Sequence, residues 1–299
     1  MAQTILQRTN RAGGMISAPW LFLASRVMNS ERMLSRAVEA DPLFVRGMEQ
    51  QARLNKRGDP AVVVAQLILA TRLAAAARNG GDLKVKSYLS VSESQLLQDV
   101  ACVLATGEKK NGYFLEVGVG SGRTISNTYM LEKHLGWDGI LVEPNLSSHD
   151  SILACRSARL ERRAAASVGG QTVEFEEAVD AGEHSRLAKL NNRSERNDKL
   201  RTYQVETVTL NDLLAEHGSP SEIDYLSLDT EGSELDILKG LDLERYRFGF
   251  MTIEHNYAPG VVEALHSILA PRGYRQILPD ISQFDAWFIH ETSRSDYLD

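Results

Sequence analysis

The segment Phe114-Leu-Glu-Val-Gly-Val-Gly-Ser-Gly122 constrains this chain more than any other. An apolar strand ends in an acid and runs straight into glycines at 118, 120 and 122. A glycine turn of this kind lets a ligand lie against bare backbone. A second apolar strand, Ile140-Leu-Val-Glu143, ends in another acid 27 residues after Glu116. An acid at a strand tip can accept two hydrogen bonds from a ribose. The pair predicts a nucleoside-bearing cofactor at the carboxyl end of a parallel sheet.

The glycine spacing selects among such cofactors. A dinucleotide turn needs Gly-x-Gly-x-x-Gly, but Arg123 stands where the third glycine would be. A phosphate loop needs Gly-x-x-x-x-Gly-Lys, and here Val117 and Arg123 occupy its first and lysine positions. Glu116-x-Gly118-x-Gly120-x-Gly122 instead resembles motif I of class I S-adenosylmethionine methyltransferases. That resemblance implies that Glu116 faces the cationic methionine end of the cofactor and Glu143 holds the ribose. Gly118, Gly120, Ser121, Gly122 and Pro144 would frame the cofactor, and Asp229 would lie beside its methyl end. Ala164-Ala-Ala-Ser167 ends the expected third strand, where Ala165 would border the adenine.

Further segments narrow the resemblance. Ser126-Asn-Thr-Tyr-Met-Leu-Glu132, Gly136-Trp-Asp-Gly-Ile-Leu-Val-Glu-Pro-Asn145 and Ile223-Asp-Tyr-Leu-Ser-Leu-Asp-Thr-Glu-Gly-Ser-Glu-Leu-Asp-Ile-Leu238 resemble the FkbM-type methyltransferases. So does the lead-in Ser94-Gln-Leu-Leu-Gln-Asp99, and the Asp229-x-Glu231-Gly232-x-Glu234 core is the most characteristic piece. The resemblance spans roughly residues 92–290. It implies a Rossmann-like α/β fold with a mostly parallel seven-stranded sheet, helices on both faces and an antiparallel last strand. It also implies O-methylation, often of sugar or secondary-metabolite hydroxyls. Two other readings stay open: a scaffold that keeps the fold without the chemistry, and an NAD-linked oxidoreductase.

Methyl transfer to oxygen requires in-line positioning and removal of the hydroxyl proton. Two strand tips carry candidates for the second task, Leu226-Ser-Leu-Asp229 and Thr252-Ile-Glu254-His255-Asn256. His255 or Asp229 would serve as the general base. The arrangement also resembles the magnesium site of catechol-type O-methyltransferases, with Asp229, Glu254 and Asn256 as ligands. His255 sits where a carboxylate would be expected, and histidine is a poor magnesium ligand. Glu231 and Glu234 have a structural alternative, since an acid in a first helical turn meets a favourable dipole. Ser94, Gln95 and Asp99 could reach the cofactor or simply cap a helix.

The remaining sequence sets the frame. Residues 1–91 read as a helical extension and 92–299 as the catalytic domain, with an insertion at about 180–200 that is charged and aperiodic. Strands are expected at 113–117, 139–143, 159–165, 223–229, 248–254 and 285–290, with extra strand-like stretches at 172–175 and 202–207. Helices are expected near 123–135, 147–157, 209–217, 232–240 and 260–270. A net charge of -7 argues against a chain devoted to nucleic acid. Cys102 and Cys155 form no ligand-spaced cluster, which fits a reducing cytoplasm. Met15–Ala24 only loosely imitates a signal peptide, and the uncharged run from Pro60 to Thr71 is too short to cross a bilayer. The expected partners are a small hydroxylated acceptor and, through the N-terminal helices, a second copy of the chain, with no nucleic acid and no membrane.

Overall fold

The computed structural model describes residues 46, 48, 50, 66, 85–178, 186–187, 200–280 and 282–293. Apart from isolated positions, the expected N-terminal helices and the insertion lie outside the described residues. The chain divides into two units, Met1–Ser92 and Glu93–Asp299. In the first, Val85–Leu89 form a short helix that ends in a turn. The second holds everything that follows.

A seven-stranded sheet forms the centre of the second unit. Its strands are β1 (Tyr113–Val117), β2 (Asp138–Val142), β3 (Arg159–Glu161), β8 (Glu222–Leu228), β9 (Arg247–Glu254), β10 (Tyr274–Ile277) and β11 (Asp285–His290). Their order is β10-β11-β9-β8-β1-β2-β3. β11 runs antiparallel to both neighbours, and the remaining pairs are parallel. β1 pairs with β2 on one side and with β8 on the other. The chain therefore reverses its direction of winding at β1, and such a switch point opens a crevice beyond the strand tips. The expected sheet is the one found. β10 is an addition: its four residues, Tyr-Arg-Gln-Ile, make an edge strand too short and polar to announce itself.

Among the described residues, six helices flank this sheet: α1 (Gln98–Ala105), α2 (Tyr129–Leu135), α3 (His149–Cys155), α4 (Leu210–Glu216), α5 (Glu234–Lys239) and α6 (Val261–Leu269). Side chains alternate across strands. Leu115, Val117, Leu226, Leu228, Met251 and Ile253 thus share one face and pack with Leu213, Leu214, Ile237, Leu238, Leu265 and Leu269 of α4, α5 and α6. Each such fully buried side chain contributes about 1.5–3 kcal/mol. Phe114, Glu116, Tyr225, Ser227, Phe250 and Trp287 alternate to the opposite face, where Tyr225 stacks on Phe250 at 5.4 Å and Phe250 meets Trp287 edge-on at 6.1 Å. Glu116 and Ser227 are therefore register partners on the same face.

Two expected boundaries move, and both movements shape the cleft. The strand expected over 159–165 breaks in two. Glu161 turns its carboxylate onto the Arg163 guanidinium (2.7 Å) and backbone amide (2.8 Å), bending the chain there. Beyond the bend, β4 (Ala164–Ala165) joins a second sheet with β5 (Thr172–Ala178), β6 (Arg186–Leu187) and β7 (Leu200–Val208), in the order β4-β7-β5-β6. The helix expected from 123 starts only at Tyr129, because residues 123–128 are drawn into a side-chain network. Among the described residues, no helix is long and apolar enough to cross a membrane.

Candidate active site

The crevice at the β1 switch point is a cleft of about 760 Å³, open solvent included. Gly118, Gly120, Asn127, Glu143, Pro144, Ala165, Phe175 and Asp229 are among the residues that line it. Gly118 has φ +84, and a Cβ there would lie 1.6 Å from the Asp229 carbonyl oxygen. Only glycine allows β1 to leave the sheet so close to the tip of β8. Gly120 has φ +58 and open space where a Cβ would be, so its bare backbone faces the cleft.

Glu143 anchors the β2 side. One carboxylate oxygen accepts from the amides of Val119 (2.9 Å) and Gly120 (2.7 Å), and the other from Asn145 (2.9 Å). The acid thus holds the glycine loop in shape as well as facing the cleft. Burial pushes its pKa up to about 7, against the lowering effect of those three amides. Pro144, Ala164, Ala165 and Phe175 continue the wall from there, so the bend after β3 supplies the alanines and the second sheet supplies an aromatic ring. Phe175 carried no motif and escaped the sequence reading.

Asp229 anchors the β8 side. Its carboxylate lies with those of Glu234 and Glu254, one oxygen of each within 4.8 Å of the others. Burial raises the Asp229 pKa well above the usual range, and Glu231 and Asp285 push it further. Burial likewise raises Glu254, with Asp229 adding to it. Glu254 Oε2 is buried and meets no donor. Glu234 turns one oxygen to the Thr230 amide (2.7 Å), the Thr230 hydroxyl (3.0 Å) and the Gly232 amide (3.0 Å). It shapes the turn after β8 while adding its charge to the cluster.

Several sequence candidates fall elsewhere. Glu116 does not line the cleft. Strand alternation sends its side chain into the layer beside Phe114, where it accepts from the Ser126 hydroxyl (3.1 Å), the Asn127 amide (2.8 Å) and the Thr128 hydroxyl (2.5 Å). The fully buried Arg156 approaches it at 3.5 Å and also binds Glu132 at 2.6 Å. Glu116 is therefore committed to protein groups, the 126–128 segment and Arg156, and stands behind the cleft wall rather than in it. Ser121 is exposed, and its hydroxyl accepts from the Thr124 amide at 3.2 Å. Gly122 packs against Ile152 behind the loop. His255 stands off the cleft: its Nδ1 accepts from the Tyr257 amide at 3.0 Å, and burial lowers its pKa. Asn256 is exposed with φ 45, and the carboxylate that lies beside Asp229 and Glu254 is that of Glu234. Ser94 and Asp99 bond each other at 2.5 Å and are buried, with Ser94 bridging to Ile125.

A mostly parallel sheet of this order, with one antiparallel strand and a glycine-lined cleft at its switch point, is a methyltransferase-like α/β fold. The particular group follows from the sequence that builds the cleft. Residues 116–276, more than half of the chain, match the methyltransferase FkbM domain, and the chain belongs to that family. No curated protein matches it. Among solved structures it is similar to a precorrin-6y C5,15-methyltransferase from Geobacter metallireducens, with 10% identity and a TM-score of 0.36 over 67% of this chain and 88% of that one. It is also similar to a putative RNA methyltransferase from Pyrococcus horikoshii, with 10% identity and a TM-score of 0.35 over 74% and 98%.

The family implies S-adenosylmethionine, and the residues present fit it. The glycine loop leaves room for a flat ligand, the Glu143 carboxylate faces the cleft, and a buried amide oxygen of Asn127 lacks a donor.

Proposed function

We propose that this protein transfers a methyl group from S-adenosylmethionine to a hydroxyl of a small molecule, a sugar or secondary metabolite. The observation that carries the reading is the Asp229 cluster opening into the same cleft as the glycine loop. Bound in that cleft, the cofactor supplies an activated methyl on a sulfonium. The protein's own part is to orient the acceptor and take its proton. The Glu143 carboxylate, fixed by its three backbone amides, would accept the sugar hydroxyls of the cofactor. Pro144, Ala165 and Phe175 provide a narrow apolar wall for the base. Asp229 is the carboxylate of the cluster that reaches the cleft, and it receives the acceptor's hydroxyl. The acidity of this end and the net charge of -7 disfavour a phosphate-rich acceptor.

A second reading adds a divalent cation to this end. Three carboxylates crowd together, and a buried oxygen of Glu254 meets no donor. Buried charges of one sign are offset by protons or by a metal, and an all-oxygen set suits magnesium or manganese. Asp229, Glu234 and Glu254 would hold it, and it would lower the pKa of the acceptor's hydroxyl.

The test is methyl transfer from isotopically labelled S-adenosylmethionine to a panel of sugars, phenolic metabolites and a short RNA, read by mass spectrometry. Label on a small-molecule oxygen supports the reading; label on the RNA alone overturns it. A chelator arm decides the cation.

A further inference from the structure

We propose that Asn127 receives the amino-acid end of the nucleoside cofactor, an inference that rests on the S-adenosylmethionine reading. Asn127 is buried, lines the cleft, and leaves its amide oxygen without a partner. A buried polar atom left unmatched costs about 1–3 kcal/mol, so the position calls for a ligand. The other end of the amide is occupied: Nδ2 donates to the Ser227 hydroxyl at 2.9 Å. If the amide is turned over, Ser227 donates to the oxygen and an N–H is left unmatched instead. Either way one polar end awaits a partner. An α-amino acid offers both an ammonium donor and a carboxylate acceptor.

Position decides which part of the cofactor meets it. β1 lies between β2 and β8. Glu143 extends β2, whereas Asn127 is tied to Ser227 of β8. The two residues flank the glycine loop on opposite sides. With the sugar at Glu143 and the base toward Ala165 and Phe175, Asn127 on the other side of β1 would hold the remaining arm of the cofactor. Asp229, directly after β8, lines the cleft on the same side.

The surroundings hold Asn127 in place. Its backbone amide donates to Glu116 at 2.8 Å, and Ser126 and Thr128 on either side donate to the same carboxylate. Arg156 closes the network with contacts to Gly122 O (3.1 Å) and Thr128 Oγ1 (2.7 Å). Ile125, two residues earlier, sits at φ 60, a conformation that an isoleucine adopts only under constraint. Glu116 is thus a positioning residue, and Asn127 is the group it presents.

Two nucleosides separate this role from others. S-adenosylhomocysteine carries the amino-acid arm, and 5′-methylthioadenosine has the same nucleoside and thioether without it. Binding of each to the full chain is measured by calorimetry, with a thermal melt of every variant. Wild type is expected to bind S-adenosylhomocysteine the more tightly. Asn127→Ala is expected to weaken S-adenosylhomocysteine about tenfold, the loss of one hydrogen bond to a charged group, and to leave methylthioadenosine unchanged. Ser227→Ala, which frees the amide without removing it, is expected to shift the same ratio in the same direction by a smaller factor. It keeps the proposal testable if Asn127→Ala does not fold. Equal weakening of both ligands, or of neither, would overturn the proposal while leaving the cofactor reading intact. A wild type that binds neither nucleoside would remove the cofactor reading and this inference with it.

Discussion

The two sides of the cleft use carboxylates in opposite ways. On the β2 side, Glu143 meets three backbone amides within 2.9 Å. On the β8 side, Asp229, Glu234 and Glu254 face one another, and the principal charges acting on Asp229 are further carboxylates. The first acid is already solvated by the protein and needs little rearrangement to accept sugar hydroxyls, which is preorganisation in the ordinary sense. The second group is held in mutual repulsion, and a proton or a cation relieves it. A surface that must bind the same cofactor at every turnover is best built in advance. A surface that must take a proton from each acceptor gains from being poised between charge states.

Breaking the second side should have the largest effect. Asp229→Asn keeps the shape and removes the proton acceptor, so turnover is expected to fall by about 10²–10⁴. Cofactor affinity should stay within a few-fold. Single-turnover kinetics beside calorimetry separate the two. If affinity fell as far as turnover, the division between the sides of the cleft would not hold.

Glu143→Gln tests the first side and should do the reverse. It keeps one acceptor oxygen, loses the charge and places an NH₂ against backbone donors. Cofactor binding is expected to weaken about 10–100-fold, with turnover at saturation less affected.

The pH dependence sharpens the same contrast. Glu143 is raised from the ordinary 4.5 to about 7 by burial. Between those values the folded state holds more protons than the unfolded one, so stability falls as pH rises. The shift corresponds to about 3 kcal/mol when complete. Sugar hydroxyls favour the ionised form, so cofactor affinity is expected to rise as pH passes upward through about 7. Glu143→Gln should flatten both profiles. Denaturation and calorimetry at several pH values check the pair, and unchanged slopes in the variant would mean that another group titrates there.

Much of the first side was legible in the sequence, and little of the second. Apolar strands ending in acids, with glycines following, are local patterns, and local patterns fix which residues reach the tip of β1 and β2. The side of the strand on which Glu116 lies is not local. Both faces of β1 are apolar, so alternation alone does not say which one faces the α1 layer, and the arginine that claims Glu116 lies 40 residues away. The late start of α2 was hidden for a related reason. Residues 123–128 contain no helix breaker, and what withholds them is a carboxylate on another element. Asn127 and Thr128 are residue types that favour helix starts, which was the one available hint. The Glu234 contribution to the cluster was masked by its equally good fit to a helix N-terminus. Phe175 reaches the cleft through a second sheet whose pairing no short-range signal could reveal.

The smallest expected effect belongs to His255, the residue with the best general-base credentials on paper. Its ring is held by backbone: Nδ1 accepts from the Tyr257 amide, and the carbonyls of residues 283 and 285 lie close enough to oppose the lowering of its pKa by burial. Tyr257 covers it edge-on at 5.7 Å. A base must come within hydrogen-bond reach of the proton it removes, and this ring is turned to the turn after β9 rather than to the cleft. His255→Ala should therefore lower turnover by no more than about threefold, through loosening of that turn, and leave the pH–rate profile in place. Steady-state rates across pH measure this directly. A loss of a hundredfold, with the profile displaced, would move the proton-accepting role from β8 to β9 and make the crowded carboxylates a purely structural feature.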